Sequence, residues 1–184
     1  MNTIYGFILM KILCWKISGD FPNVKKSIVI FAPHTSYYDA LYGKLYFNEI
    51  RVKHTFLSKK ELFFFPMNIL MKCYGSIPVR GVTGNNAVYQ VTRMLEEKES
   101  LHIILSPEGT RAKVTKWNKG FYYMAWKAKV PIVVGYLDYQ KKEIGVKGII
   151  DNLDDLGIVI SQINTMYKDV TAKYPEKYSI DVKN

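Results

Sequence analysis

The chain is short of histidine, cysteine and acid. In 184 residues it has three histidines, two cysteines, and 16 Asp and Glu against 26 Lys and Arg. Cys14 and Cys73 stand far apart and form no C-x-x-C, so neither a disulfide framework nor a structural zinc site is expected, and a reducing compartment is. The few histidines form no H-x-x-x-H or H-x-x-E-H, which argues against a zinc hydrolase, and no metal is expected. No G-x-S-x-G is present, which removes the nucleophile elbow of the serine hydrolases. Also missing is any run of the ~20 apolar residues needed to span a bilayer. Met1 to Met10 and Leu62 to Met71 come closest, and Lys11 and Lys72 end them. Lys11 also interrupts what would be a signal peptide's apolar region, and no basic segment precedes it. Nothing is expected to span a membrane, but both lysine-bracketed segments suit one that lies on it. There is no internal repeat and no low-complexity stretch.

The deficit of acid leaves a net charge of +10, which calls for an anionic partner: a membrane face, a phosphorylated substrate, an acidic carrier or nucleic acid. Apolar residues at 48% and charged residues at 23% are ordinary for a globular protein. The length fits one domain, residues 1–184, opening with an apolar N-terminal helix within residues 1–18.

Periodicity predicts that opening helix over Ile4 to Ile17. Strands are predicted at Ser27–Phe31, Lys53–Ser58, Gly75–Val79, Leu101–Leu105, Ile132–Asp138 and Glu143–Val146. Helices are predicted at Tyr37–Asn48, within Lys59–Tyr74 with a break at Pro66, and at Asn85–Lys98, Lys119–Lys129 and Leu153–Val170. Strands alternating with helices of this length predict an α/β fold: a mostly parallel, twisted sheet flanked by helices. Ligands in such folds bind beyond the carboxyl ends of strands. The loops after Phe31, Leu105 and Asp138, and the turn at Gly75, are therefore the places to search.

Four segments carry chemistry. In Ala32-Pro33-His34-Thr35-Ser36-Tyr37-Tyr38-Asp39, an aspartate follows His34 by five residues. On one continuous helix that step turns about 140°, so the side chains would diverge. If the helix starts near Ser36, His34 lies in the loop and folds back toward Asp39. A carboxylate beside one imidazole nitrogen leaves the other as a base. The same residues also read as a capping box, with Ser36 at the N-cap and Asp39 at N3. In Ser106-Pro107-Glu108-Gly109-Thr110-Arg111, the glycine admits a ligand to the backbone and the arginine offers a fork for phosphate or carboxylate. The plain alternative is a polar turn in which Glu108 pairs with Arg111. Arg80, after Gly75-Ser76-Ile77-Pro78-Val79, is either an anion contact or an exposed loop arginine. Phe63-Phe64-Phe65-Pro66-Met67, behind Lys59 and Lys60, suits a membrane interface or else covers parts of the core.

Taken in order, H-x-x-x-x-D, G-x-I-P-V, P-E-G-T-R and V-P-I-V resemble the lysophosphatidic acid acyltransferases, the PlsC-type glycerolipid acyltransferase family. The matching positions are His34 with Asp39, Gly75 to Val79, Pro107 to Arg111, and Val130 to Val133, within roughly residues 25 to 140. The resemblance implies a membrane-associated enzyme that moves a fatty acyl group from an acyl thioester to the hydroxyl of a lysophospholipid, most simply 1-acyl-glycerol-3-phosphate. It implies His34 as general base and Asp39 as its orienting partner. Glu108, Gly109, Thr110 and Arg111 would bind the acceptor's phosphate, and Arg80 would assist. The donor would be an acyl carrier protein or coenzyme A thioester, with no cofactor. Attachment would be peripheral, on the cytoplasmic face of a membrane. Two positions depart from the pattern: Arg80 comes one residue earlier than the family's arginine, and Val134 stands where a second proline is common. Some relatives acylate lyso-amino-acid lipids.

The residues agree with this chemistry independently. Attack of an alcohol on a thioester needs a base and no enzyme nucleophile, and a His/Asp pair supplies it. The developing oxyanion needs backbone N–H donors, expected at the start of the helix after Ser36. A module that only binds lipid or nucleic acid accounts for the charge but not for the ordered motifs.

Overall fold

A computed structural model gives the structure of the chain, and it describes residues 3–79 and 85–181. Seven strands form one sheet in the order β1-β7-β6-β2-β5-β3-β4. They are β1 (Lys16–Ser18), β2 (Lys26–Ala32), β3 (His54–Lys59), β4 (Ser76–Val79), β5 (Leu101–Leu105), β6 (Ile132–Asp138) and β7 (Glu143–Ile150). The run from β6 through β2, β5 and β3 to β4 is parallel throughout. β7 returns antiparallel to β6, and β1 lies parallel to β7 at the edge.

The helices are α1 (Ile4–Gly6, continued by a wider π-helical turn over Phe7–Ile12), α2 (Tyr37–Glu49), α3 (Met67–Tyr74), α4 (Asn85–Glu97), α5 (Gly120–Ala128) and α6 (Leu156–Tyr167). β2 is buried along nearly its whole length because both faces of the sheet are covered. Its residues alternate: Ile28, Ile30 and Ala32 join a core with Val91 and Leu95 of α4, Phe121 and Met124 of α5, and Ile160 and Ile163 of α6. Val29 and Phe31 face the other way, into a core with Leu9, Trp15, Leu45, Tyr46 and Phe47. Completely burying a side chain such as Ile28 or Leu9 stabilises by about 1.5–3 kcal/mol.

The opening segment departs from its predicted helix. The helical run ends at Ile12, Cys14 takes a left-handed φ of 57°, and Lys16–Ser18 pairs with Glu143–Gly145 as a strand. Edge pairing with β7 satisfies backbone groups there that a longer helix would satisfy internally. The start of α1 is held by a distant residue. The Glu49 carboxylate, at the end of α2, accepts from the Gly6 N–H at 3.0 Å and from the Thr3 hydroxyl. β7 runs on to Ile150, and α6 is shorter at both ends than the predicted Leu153–Val170. The remaining elements lie where the periodicity placed them.

Candidate active site

Three neighbouring strands, β5, β2 and β6, end side by side. Ile30 pairs with Leu105, and Ala32 with Tyr136, all running the same way. The loop after β2 therefore emerges between the loop after β5 and the turn after β6. That sets His34 between the Pro107-to-Arg111 segment and Tyr139.

Ser36 ends the loop and caps α2. Its hydroxyl accepts the Tyr38 N–H at 3.2 Å, and Asp39 at N3 reaches back to the Ser36 N–H at 2.7 Å. The capping box thus exists, and the same aspartate also faces the histidine. Because the helix starts after Ser36, His34 lies off it, with Nδ1 3.6 Å from Asp39 Oδ2. That is a charge contact and longer than a hydrogen bond. Oδ2 is already occupied by the Thr35 and Ser36 N–H groups, both at 2.7 Å. Oδ1 accepts the Tyr139 hydroxyl at 2.5 Å. Asp39 is 2% exposed.

Burial holds the His34 pKa below the ordinary 6.5; Asp39 opposes the shift and Arg111 adds to it. His34 is therefore a neutral imidazole at pH 7, the form a general base must have. Its side chain keeps 29% of its exposure, so a substrate can reach it.

Glu108 is buried, and its carboxylate is spent inside the protein. Oε1 accepts the His34 backbone N–H at 2.9 Å, and Oε2 accepts the Ser106 hydroxyl. Burial pushes its pKa up to about 7 against these two stabilising hydrogen bonds. Arg111 does not pair with it. The Arg111 guanidinium lies 3.5 Å from the centre of the Tyr37 ring, and among the described residues it has no ion-pair partner. The polar turn with a Glu108–Arg111 pair is therefore not what forms. Gly109 has φ +65°, a left-handed turn position that suits glycine, with open space around it. Thr110 accepts the Ala112 N–H at 3.2 Å. Arg80 lies outside the described residues. Gly75 closes α3 at φ +84°, and its carbonyl accepts from the Phe56 N–H and the Thr55 hydroxyl, which seats β4 beside β3.

One expectation changes. The Thr35, Ser36 and Tyr38 N–H groups are all engaged by side chains, which removes them from the oxyanion donors expected at the start of α2. Three contributors outside the motifs also emerge. Tyr139 reaches Asp39 from the turn after β6. Lys173 stacks on Tyr38 at 3.5 Å, and the adjacent Tyr174 N–H donates to the Thr35 hydroxyl at 3.3 Å. The turn after Asp138 was one of the strand ends worth searching, but a lone tyrosine there carries no signal by itself. Lys173 carried none.

No curated protein and no solved structure matches the chain. A family model described as Acyltransferase matches residues 16–136, which runs from β1 through most of β6 and includes His34, Asp39 and Glu108 to Arg111. That is well over half of the 184 residues, and the chain belongs to the acyltransferase family.

Proposed function

We propose that the protein is a peripheral membrane O-acyltransferase that transfers a fatty acyl group from a carrier-protein or coenzyme A thioester to the hydroxyl of a lysophospholipid, most simply 1-acyl-glycerol-3-phosphate. One observation carries this reading: a neutral, reachable His34 stands 3.6 Å from a buried, fully engaged Asp39, with Arg111, which has no ion-pair partner among the described residues, on the adjoining loop. The histidine suits removal of a proton from an alcohol, and the arginine suits an anionic acceptor.

In the step proposed, His34 takes the acceptor's hydroxyl proton as its oxygen attacks the thioester carbonyl. The tetrahedral intermediate collapses with loss of the C–S bond, and the leaving thiolate recovers the proton from the imidazolium. Asp39 stabilises that imidazolium by its charge. Arg111 holds the acceptor's phosphate through its guanidinium fork. Glu108 contributes by fixing the His34 backbone, with Gly109 and Thr110 shaping the turn that presents Arg111.

Membrane attachment rests on exposed apolar surface. None of α3 is buried: Ile69 is 54% and Leu70 61% exposed, and Phe64 and Phe65 before it are 58% and 80% exposed. Lys59, Lys60 and Lys72 border them. In the N-terminal segment Leu9 packs into the core while Ile4, Phe7 and Ile12 stay outside. Among the described residues, no helix is long and apolar enough to cross a membrane. Such a surface suits interfacial docking on anionic lipid.

The test is thiol release from an acyl thioester in the presence of 1-acyl-glycerol-3-phosphate and lipid vesicles, for the wild type and His34→Ala. Turnover in the first and none in a folded second is expected. Unchanged turnover in His34→Ala would end the reading.

A further inference from the structure

We infer that Tyr139 is a positioning residue of the acyl-transfer site: its hydroxyl locks the Asp39 carboxylate so that Oδ2 stays turned toward His34. The inference rests on the His34/Asp39 reading proposed above and adds a residue that lies beyond the family match at 136.

The geometry assigns each carboxylate oxygen a separate task. Oδ2 is held by two backbone N–H groups and faces His34 at 3.6 Å. Oδ1 accepts from Tyr139 at 2.5 Å, and no other hydrogen bond to it occurs among the described residues. With only the two donors on Oδ2, the carboxylate can still rock about χ2; a donor on the opposite oxygen stops this. Tyr139 is itself braced. Its ring meets Trp15 edge-on at 5.0 Å, Tyr42 lies 6.1 Å away, and its N–H donates to the Thr171 carbonyl at 2.9 Å. The phenol remains a donor at any working pH, because burial and the Asp39 charge push its pKa up.

Removing the hydroxyl while keeping the ring leaves the backbone N–H groups on Oδ2 but frees the carboxylate to turn, which weakens the pull of Asp39 on the imidazolium. The His34 pKa should then fall. The other titratable groups around the pair are Tyr38 and Tyr42 of α2, Glu108 and Arg111 from the loop after β5, and Lys173 and Tyr174 from the segment packed on Tyr38 and Thr35.

The experiment measures kcat, both KM values and the pH profile of kcat/KM for the full chain as wild type, Tyr139→Phe and His34→Ala. The comparison is repeated in a Glu108→Gln background so that Glu108 does not shape the acid limb. Tyr139→Phe keeps the ring packing on Trp15. Its kcat should fall about 10-fold, part of the 10²–10⁴ that a general base supplies, with both KM values within twofold. Its acid limb should move to lower pH, on the order of half a unit. Replacing Tyr139 with 3-fluorotyrosine, which keeps the hydroxyl donor, should preserve kcat and the position of the limb. An acid limb that stays in place or rises in Tyr139→Phe, or a kcat within twofold of the wild type, overturns the inference. His34→Ala separates the two ideas: activity there defeats the base reading itself, whereas an inactive His34→Ala beside an unaffected Tyr139→Phe defeats only the positioning role.

Discussion

Glu108→Gln should reverse part of the protein's stability profile against pH. The wild-type carboxyl is buried, and its pKa is raised from 4.5 to about 7. A carboxyl with a raised folded pKa favours the folded state in its neutral form. Its cost is absent at pH well below 4.5, grows as pH rises from there to about 7, and stays constant above. Moving the pKa from 4.5 to about 7 corresponds to roughly 3 kcal/mol at full ionisation, most of it acquired between pH 5 and pH 8. Glutamine keeps an oxygen for the His34 N–H and never ionises. The stability of Glu108→Gln relative to the wild type should therefore improve by roughly 2–3 kcal/mol from pH 5 to pH 8. Urea denaturation of both proteins at several pH values, compared as a difference, cancels the titration of the other carboxyls. A difference that is flat with pH would show that Glu108 is not buried as a neutral-preferring acid beside His34.

Asp39→Asn should lower activity less than His34→Ala, since the base itself remains. It should also cost about 1–2 kcal/mol in a thermal or urea melt, because an amide cannot accept from Thr35, Ser36 and Tyr139 all at once. Arg111→Ala should chiefly raise the KM of a phosphate-bearing acceptor by about 10-fold or more, with lysine restoring only part. Equal losses for acceptors with and without phosphate would make Arg111 a structural partner of Tyr37 instead. Replacing Phe64 and Phe65 by serine should weaken binding to anionic vesicles without changing the melting temperature, and salt should weaken binding of the wild type. Vesicle binding indifferent to both would put the membrane face elsewhere.

The local pattern was sufficient for much of the architecture. β2, β5 and β6 are continuous apolar runs because both faces of the sheet are covered, and period and length alone located them within a residue or two. The Ser36/Asp39 capping box and the helix that follows were equally readable, since caps are made by residues close in sequence. The ordered motifs point to the acyltransferase family from sequence alone, and the two that carry the candidate chemistry, His34 to Asp39 and Pro107 to Arg111, follow the adjacent strands β2 and β5. What sequence could not supply were the contacts across long separations. Nothing near Glu49 says that it caps the first helix, yet its carboxylate accepts from Gly6. Lys16–Ser18 looked helical in isolation and became a strand because β7 offered an edge. Nothing within Pro107 to Arg111 says that Glu108 accepts the His34 N–H; strand order sets the two loops side by side. Tyr139 lies 100 residues from Asp39 and meets it only because β6 lies next to β2. Residue types and short spacings set which groups are available for chemistry; the order of strands in the sheet sets which of them meet.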